Sequence, residues 1–392
     1  MKILSVNAGS SSLKFQLYEM PEEKVLISGN MERIGMEKSF YTIKLNGEKI
    51  KKEIELKDHS VAFKVLVDIL KENNIVDSLD DIKGIGHRIV QGGDYFDKTV
   101  VIDDEVLSKI EELSALAPLH NPAAATGIKA AKEVFKDAVL TAVFDTAFHQ
   151  TMKEENYLYA LPKSWYKDYK VRRYGAHGTS HKYVANRANE ILGRNDTKLI
   201  TCHIGNGASI SAVVNGKCIN TSMGLTPNAG LIMGTRCGDI DASIIPYIME
   251  KTNMTPKEID TIINKESGLL AISEKSSDSR DIEEGIASGD ENCILAQKMY
   301  VRKIIDYIAK YYVEMGGCDA IIFTAGIGER AIDTRRDVIN GLSALGVYLD
   351  SEANNVKSEE RLISTKDSKI KCYIIPTDEE LMIARDTYEL SK

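Results

Sequence analysis

The sequence predicts an α/β protein of two duplicated domains facing one another across a cleft, and three features point there. The chain opens on an apolar run, Ile3-Leu4-Ser5-Val6, followed by a small polar turn and by Phe15-Gln16-Leu17-Tyr18, which reads as an alternating strand going back. Half a chain later the same build returns, with Leu199-Ile200-Thr201-Cys202, a glycine-containing turn, and Ile210-Ser211-Ala212-Val213-Val214. Asn7-x-Gly9 thus matches His203-x-Gly205, and self-similarity at a long period marks a repeated unit. In both halves, strands then give way to alternating strands and helices, the pattern of a sheet covered by helices.

The elements follow in order. Segments 24–31 and 41–45 read as strands, completing a four-strand antiparallel opening. Segment 60–73 is an amphipathic helix, with Ala62, Val65, Leu66, Ile69 and Leu70 at helical spacing. A strand over 82–90, a helix over 105–116 and a strand over 139–144 come next. In the second half Ser180 caps a helix that ends at Gly193, with Val184, Ala188, Ile191 and Leu192 inward. Segment 320–324 is a buried strand ended by Gly326-Ile327-Gly328, and 371–375 is another.

A chain of 392 residues exceeds one core and suits two domains. The net charge is −8 and no Lys/Arg stripe forms, which excludes nucleic acid as a partner. No apolar run is long enough to span a bilayer, and the N-terminus reads as the first strand rather than a signal peptide. Six cysteines are scattered without C-x-x-C pairs, the usage of reduced thiols in a cytoplasmic protein without a disulfide framework or zinc. A metal would be a hard ion held by oxygens and a nucleotide.

Several segments carry chemistry. The first turn, Asn7-Ala8-Gly9-Ser10-Ser11-Ser12-Leu13-Lys14, offers free N–H groups, three hydroxyls and a point charge, the parts of an anion cradle. His87-Arg88 ends a strand before Gln91-Gly92-Gly93, where a planar fork suits a carboxylate or phosphate. Pro118-Leu119-His120-Asn121-Pro122 is a stiff turn fixing a histidine. Phe144-Asp145 sets an aspartate straight after an apolar strand, where α/β sheets place catalytic groups. Gly175-Ala176-His177-Gly178 threads a histidine between glycines before a helix, and Gly234-Thr235-Arg236-Cys237-Gly238 repeats the arginine theme. Singly, each has an equally good structural explanation; together with two phosphate turns they do not.

These motifs resemble the acetate kinase family, within the superfamily of acetate and sugar kinases, Hsp70 and actin. The resemblance runs from Met1 to about Arg385 through N-A-G-S-S-S-x-K, P-L-H-N-P, F-D-T-A-F-H, H-G-T-S-H, H-x-G-N-G, M-G-T-R-x-G-D-I-D and T-A-G-I-G-E. It implies two actin-like (ribonuclease H-like) domains with a nucleotide cleft between them. The first would cover 1–147, joined by a C-terminal helix 379–392; the second, 148–378, would bind nucleotide and form a homodimer. It implies reversible phosphoryl transfer from ATP to acetate, giving acetyl phosphate and ADP, with Mg²⁺ or, in its place, Mn²⁺. By the same resemblance, Asn7 and Glu379 would hold the metal, and Ser10, Ser12 and Lys14 nucleotide phosphates. Asp145, His177, Arg236, Arg88 and His120 would be catalytic, Asp145 either as a base or as the orienter of Arg88 and metal waters. His203, Ile204, Gly205, Asn206 and Gly207, with Asp278, Ser279 and Arg280 and with Gly326, Ile327, Gly328, Glu329 and Arg330, would bind the nucleotide. Arg88, Val90, Leu119, Ala176 and Pro227 would surround the acyl group.

Departures from the family pattern cluster around that acyl group. Ala176 stands for a Phe, Gln91 for a His, and Asn228 and Ala229 replace Leu and Glu; Ser279 stands for a Phe near the nucleotide. Two readings result: drift with acetate retained, or a wider or more polar pocket taking propionate, butyrate or a substituted acid. An actin-like or Hsp70-like ATPase is a remote alternative that would not need Arg88, Arg236, His177 and His120 together. A sugar kinase would need an aspartate base for a neutral hydroxyl and has little use for paired arginines.

Overall fold

The computed structural model describes every residue except Leu119, and the chain divides into two compact units. One comprises Met1–Gln150 with Asp378–Lys392, the other Thr151–Thr377.

The first unit is built on eight strands: β1 (Lys2–Ala8), β2 (Ser12–Glu19), β3 (Lys24–Glu32), β4 (Phe40–Leu45), β5 (Glu48–Glu53), β6 (Ile82–Ile89), β7 (Val100–Val101) and β8 (Val139–Phe144). They form one sheet in the order β5-β4-β3-β2-β1-β6-β8-β7. Strands β1 to β5 pair antiparallel, whereas β1, β6 and β8 run parallel. The antiparallel opening therefore has five strands, one more than expected. All six residues of β5 are exposed and most are Lys or Glu, the composition that protects a sheet edge and hides a strand from hydrophobic pattern.

The helix His59–Glu72 turns Ala62, Phe63, Leu66, Ile69 and Leu70 inward, and the Asp58 side chain caps it by accepting from Val61 N. The expected stiff turn at Pro118–Pro122 instead leads into a helix, Asn121–Val134, with its proline in the first turn where no N–H is missed. Its buried positions are mostly Ala and Gly, so periodicity of large apolar residues does not reveal it. The expected helix over 105–116 is Asp104–Glu112, tightened into a 3₁₀ turn at Leu113–Ala115. The C-terminal helix Glu379–Leu390 packs on β1, β6 and β8.

The second unit has strands β9 (Lys198–Ile204), β10 (Ala208–Val214), β11 (Lys217–Thr221), β12 (Ala320–Thr324), β13 (Arg361–Leu362) and β14 (Lys371–Ile374). Their order is β11-β10-β9-β12-β14-β13. The series β11-β10-β9-β12-β14 repeats β3-β2-β1-β6-β8 in order and in sense, two antiparallel pairings followed by two parallel ones. Asn7 and His203 are the penultimate residues of the corresponding strands β1 and β9. A long helix, Glu291–Met315, lays Ala296, Tyr300, Ile304, Ile308 and Tyr311 against the sheet. Two local expectations change. The helix Gly178–Leu192 starts before Ser180, with His177 at its N-cap position in the left-handed region at φ 59°. Gly326, Ile327 and Gly328 lie in the short helix Ala325–Arg330 rather than in an open turn.

The C-terminal helix can approach β6 because Gly84 and Gly86 share the face beneath it. A side-chain carbon on Gly86 would fall 2.3 Å from Thr387 Oγ1 and 2.4 Å from Ile383 Cγ2. Gly86→Ala should therefore cost about 1–3 kcal/mol through overpacking. Urea denaturation would read this as a lower midpoint; an unchanged midpoint would mean the helix yields without cost.

Candidate active site

In the first unit, parallel register brings three strand ends together. Val6 lies opposite His87, and Ile89 opposite Phe144, so Asn7, Arg88 and Asp145 all sit at the carboxyl ends of neighbouring strands. Asp145 N donates to Ile89 O at 2.8 Å, which locks the aspartate to the strand carrying Arg88. Arg88 then donates from Nε to Asp145 Oδ1 at 3.1 Å and from Nη2 to Oδ2 at 2.7 Å, a two-pronged pair. Asp145 is 1% exposed, and its proximity raises the Arg88 pKa further.

Glu379 opens the C-terminal helix, and its Oε2 lies 3.8 Å from Arg88 Nε. Glu380 beside it pairs with Lys14. Burial pushes the Glu379 carboxyl up to about 7; Arg88 opposes the shift, while Asp145 and Glu380 add to it. Burial likewise raises Asp378, which caps the helix by accepting from Leu381 N. Carboxylates thus outnumber cationic groups at this edge, although no three of them come together as a metal-binding cluster among the described residues. Asn7 is paired across strands with Lys14 and so shares its face, as does Ser12 two residues earlier. Gly9 N donates to Ser12 O at 2.9 Å, and His59 Nε2 donates to Gly9 O at 2.9 Å, fixing the turn from below. Ser10 is exposed at the tip.

In the second unit, Arg236 and His177 meet over the turn at Gly207. A side-chain carbon on Gly207 would lie 3.3 Å from Arg236 Nη1 and 3.6 Å from His177 Nε2, so both donors approach the glycine closely. Arg236 Nη1 donates to Pro227 O at 3.0 Å, and partial burial lowers the guanidinium pKa. Among the described residues no carboxylate pairs with it. The His177 ring stacks on His203, with centroids 4.0 Å apart and planes 23° from parallel. His203 Nδ1 bonds Ser180 Oγ at 2.8 Å, and Ser180 Oγ bonds Thr377 Oγ1 at 2.8 Å. His177 Nδ1 bonds Ser209 Oγ at 2.9 Å, and Ser209 in turn bonds His181 Nε2 at 2.8 Å. His181 closes the H-G-T-S-H motif but is given no role there, and Ser209 lies just outside H-x-G-N-G.

A cavity of about 570 Å³ in the same unit is lined by Gly205 and Asn206, by Asp278, Ser279 and Arg280, and by Gly326, Ile327 and Arg330. Ser277, Glu283, Ala331 and Lys357 also line it, and no motif announces them. Arg280 forks onto Asp278 and holds its carboxyl down to about 2. Burial raises Glu283, and Asp333 adds to that shift. The other residues expected to bind nucleotide do not line this cavity. His203 is in the ring stack, Ile204 in the core and Gly207 beneath Arg236. Glu329 is turned inward, accepting from Ala325 N at 2.9 Å and Thr377 N at 3.2 Å. Gly328 O accepts from Arg335, a fully buried arginine that also holds Asn354 O and Val356 O and whose pKa burial lowers to about 10. That staple fixes the short helix and the segment leading to Lys357.

The residues expected around an acyl group are divided between the units. Val90, partly buried after β6, belongs to the first; Ala176, 4% exposed, and Pro227 belong to the second. Leu119 lies outside the described residues, and His120 is exposed at the N-cap position of Asn121–Val134. Gln91 has its Oε1 taken by Gly93 N at 2.9 Å and its backbone clamped by Asn121, while its Nε2 makes no hydrogen bond among the described residues. Asn228 is 9% exposed, with Oδ1 turned to Cys237 Sγ at 3.6 Å, and Ala229 sits beside Gly224.

Comparison with known proteins identifies the family. A model described as the acetokinase family matches residues 2–385. The chain is similar to the acetate kinase of Bacillus velezensis, 55% identical over 393 residues with all of both chains covered. It is 54% identical to that of Bacillus subtilis over 393 residues, again covering both completely. Among solved structures it is similar to Porphyromonas gingivalis acetate kinase, with TM-score 0.96 and 44% identity over 100% of each chain. A propionate kinase from Francisella tularensis superposes with TM-score 0.93 and 42% identity over 99% of each. The two sheets of matching order are thus the duplicated actin-like α/β fold of those structures, and the chain belongs to the acetokinase family.

Proposed function

We propose that this protein is a carboxyl phosphotransferase that reversibly transfers the γ-phosphoryl group of ATP to acetate, giving acetyl phosphate and ADP with Mg²⁺. The observation that carries this reading is Arg236: a partly buried cation without a carboxylate partner among the described residues, converging with His177 Nε2 beside Gly207. Such a site expects an anion with charge to stabilise. A carboxylate is already an anionic nucleophile at neutral pH, so the difficulty is bringing it to an equally negative phosphoryl group. Arg236 and His177 supply preorganised donors for that charge, and Arg88 a planar clamp for the carboxylate.

Asp145 then acts as a positioning residue rather than a base, because both its oxygens already accept from Arg88. Lys14, Ser10 and Ser12 hold nucleotide phosphates, and the cavity by Asp278, Ser279, Arg280 and Gly326 holds the nucleoside. Asn7 and Glu379 would hold the metal, which would supply positive charge to offset that of the phosphates. The homodimer is supported by Ile240, Ile244 and Tyr247, exposed apolar residues at and before a helix, Ile244–Thr252, none of whose residues is buried. A cytoplasmic location rests on six free thiols. No helix of the described residues is long and apolar enough to cross a membrane.

A second reading, propionate or a larger acid, rests on Ala176, a small buried residue beside the catalytic histidine. A more polar acid would have only the amide N–H groups of Gln91 and Asn228 to draw on, because the amide oxygens of both are engaged within the protein.

Acyl phosphate trapped as hydroxamate should form only with ATP, a divalent ion and a short carboxylate. Arg236→Ala should lower kcat by about a hundredfold or more with the fold intact, since it removes a donor aimed at developing charge. A variant within tenfold of wild type would remove Arg236 from the mechanism.

Glu379 links stability to pH. Its carboxyl titrates at about 7 when folded, above its ordinary value of 4.5, so the folded state binds the extra proton between those values. Stability without metal should fall as pH rises through that window. Glu379→Gln should melt close to wild type near pH 5 and increasingly above it towards about pH 8. Adding Mg²⁺ should stabilise wild type selectively; identical melting curves across pH would contradict the shift.

Ala176→Phe tests the acyl pocket. If the pocket is wide, kcat/KM for acetate should hold or rise while that for propionate falls by about tenfold, the scale of an overpacking penalty. An unchanged ratio between the two acids would leave acetate as the reading without a widened pocket.

A further inference from the structure

We infer that Thr201, His181 and Ser209 are positioning residues for His177, forming a one-way hydrogen-bond chain that keeps the His177 proton on Nε2. The inference rests on the function proposed above, in which His177 donates to the phosphoryl group in transfer. The chain runs through three fully buried side chains. Thr201 Oγ1 lies 2.7 Å from His181 Nδ1, His181 Nε2 lies 2.8 Å from Ser209 Oγ, and Ser209 Oγ lies 2.9 Å from His177 Nδ1.

Each neutral imidazole has one donor and one acceptor nitrogen, and each hydroxyl has one proton to give. Ser209 could also accept from both rings, but its own buried proton would then lack an acceptor among the described residues, so the chain has two possible directions. In the first, Thr201 O–H donates to His181 Nδ1, His181 Nε2–H donates to Ser209, and Ser209 O–H donates to His177 Nδ1. His177 is left with its proton on Nε2, the atom beside Arg236 Nη1 above Gly207. In the second, every bond reverses, and Thr201 O–H must find another acceptor. The one at hand is Ser211 O at 3.5 Å, too long for a useful bond, and a buried hydroxyl without an acceptor is costly. Thr201 has no other partner among the described residues. The first direction satisfies every member, so the buried end of the chain selects the tautomer at its exposed end. No proton needs to move along it. The Nε2–H bond to substrate simply meets a growing negative charge with its donor already in place.

Histidine tautomers can be read from ¹⁵N chemical shifts and two-bond ring correlations in protein labelled at histidine. Wild type at neutral pH should show His177 and His181 both protonated at Nε2. Ser209→Ala should give a mixture of His177 tautomers and lower kcat by about tenfold or more, with KM for acetate and ATP within about twofold. Ser209→Thr, which keeps the hydroxyl, should restore both the tautomer and the rate. Thr201→Val, close to Thr in shape, should loosen both tautomers with a smaller loss of kcat, and it serves if Ser209→Ala fails to fold. A wild-type His177 carrying its proton on Nδ1 would overturn the inference. So would a folded Ser209→Ala protein with wild-type tautomer and kcat. If wild type makes no acyl phosphate, the proposed function falls, while the tautomer measurement still decides the chain.

Discussion

The in-register parallel pairing of β1, β6 and β8 is the constraint on which the first unit's chemistry depends. Opposing Ile89 to Phe144 puts Arg88 and Asp145 one residue to either side of a strand end, at the right height for a two-pronged bond. A slip of one residue would turn Arg88 to the other face and leave Asp145 buried without its partner, and an uncompensated buried charge is strongly destabilising. Gly84 and Gly86 on the same strand let the C-terminal helix lie close enough to bring Glu379 to the same edge. Sheet register, helix approach and charge balance are therefore one problem with one solution.

The arginines divide the electrostatic labour. Arg88 is held flat by Asp145, which raises its pKa and removes its freedom to wander. Arg236 is anchored through Nη1 by the carbonyl of Pro227 and the sulfur of Met233, and no other donor of its guanidinium is engaged among the described residues. Arg335 faces nothing but carbonyl and amide oxygens in the interior and serves as a staple. The same guanidinium thus clamps, receives or braces, according to whether its neighbours supply a carboxylate, an opening or a ring of carbonyls.

Polar side chains around the second turn follow a similar economy. His177, His203 and His181 are linked through Ser209 and Ser180 to threonines, so their ring orientations are set by hydroxyls rather than by carboxylates. Hydroxyl partners orient the rings without adding negative charge next to the site proposed to receive phosphate. The carboxylates are gathered instead around Glu379, where a divalent cation is the proposed guest.

The sequence by itself determined the duplication, the two turns and nearly all of the chemical groups. Strand periodicity and Gly-rich turns are local, and Asn7-x-Gly9 and His203-x-Gly205 mark equivalent places in both sheets without reference to anything distant. It did not show β5, whose exposed charges carry no hydrophobic signal, nor Asn121–Val134, whose buried face is Ala and Gly. It placed Glu329 and Gly328 with the nucleotide because they belong to a motif, whereas packing turns one inward as a cap and gives the carbonyl of the other to Arg335. It marked Gln91 as a change in the acyl surroundings, but a turn two residues on takes its side chain. Only the tertiary structure decided that Ser209 joins His177 to His181 and that Arg236 lacks a carboxylate, because hydrogen-bond partners come from strands and loops far apart in the chain. Residue identity is written in sequence, but which donor meets which acceptor is settled only when the sheets are closed and water is gone.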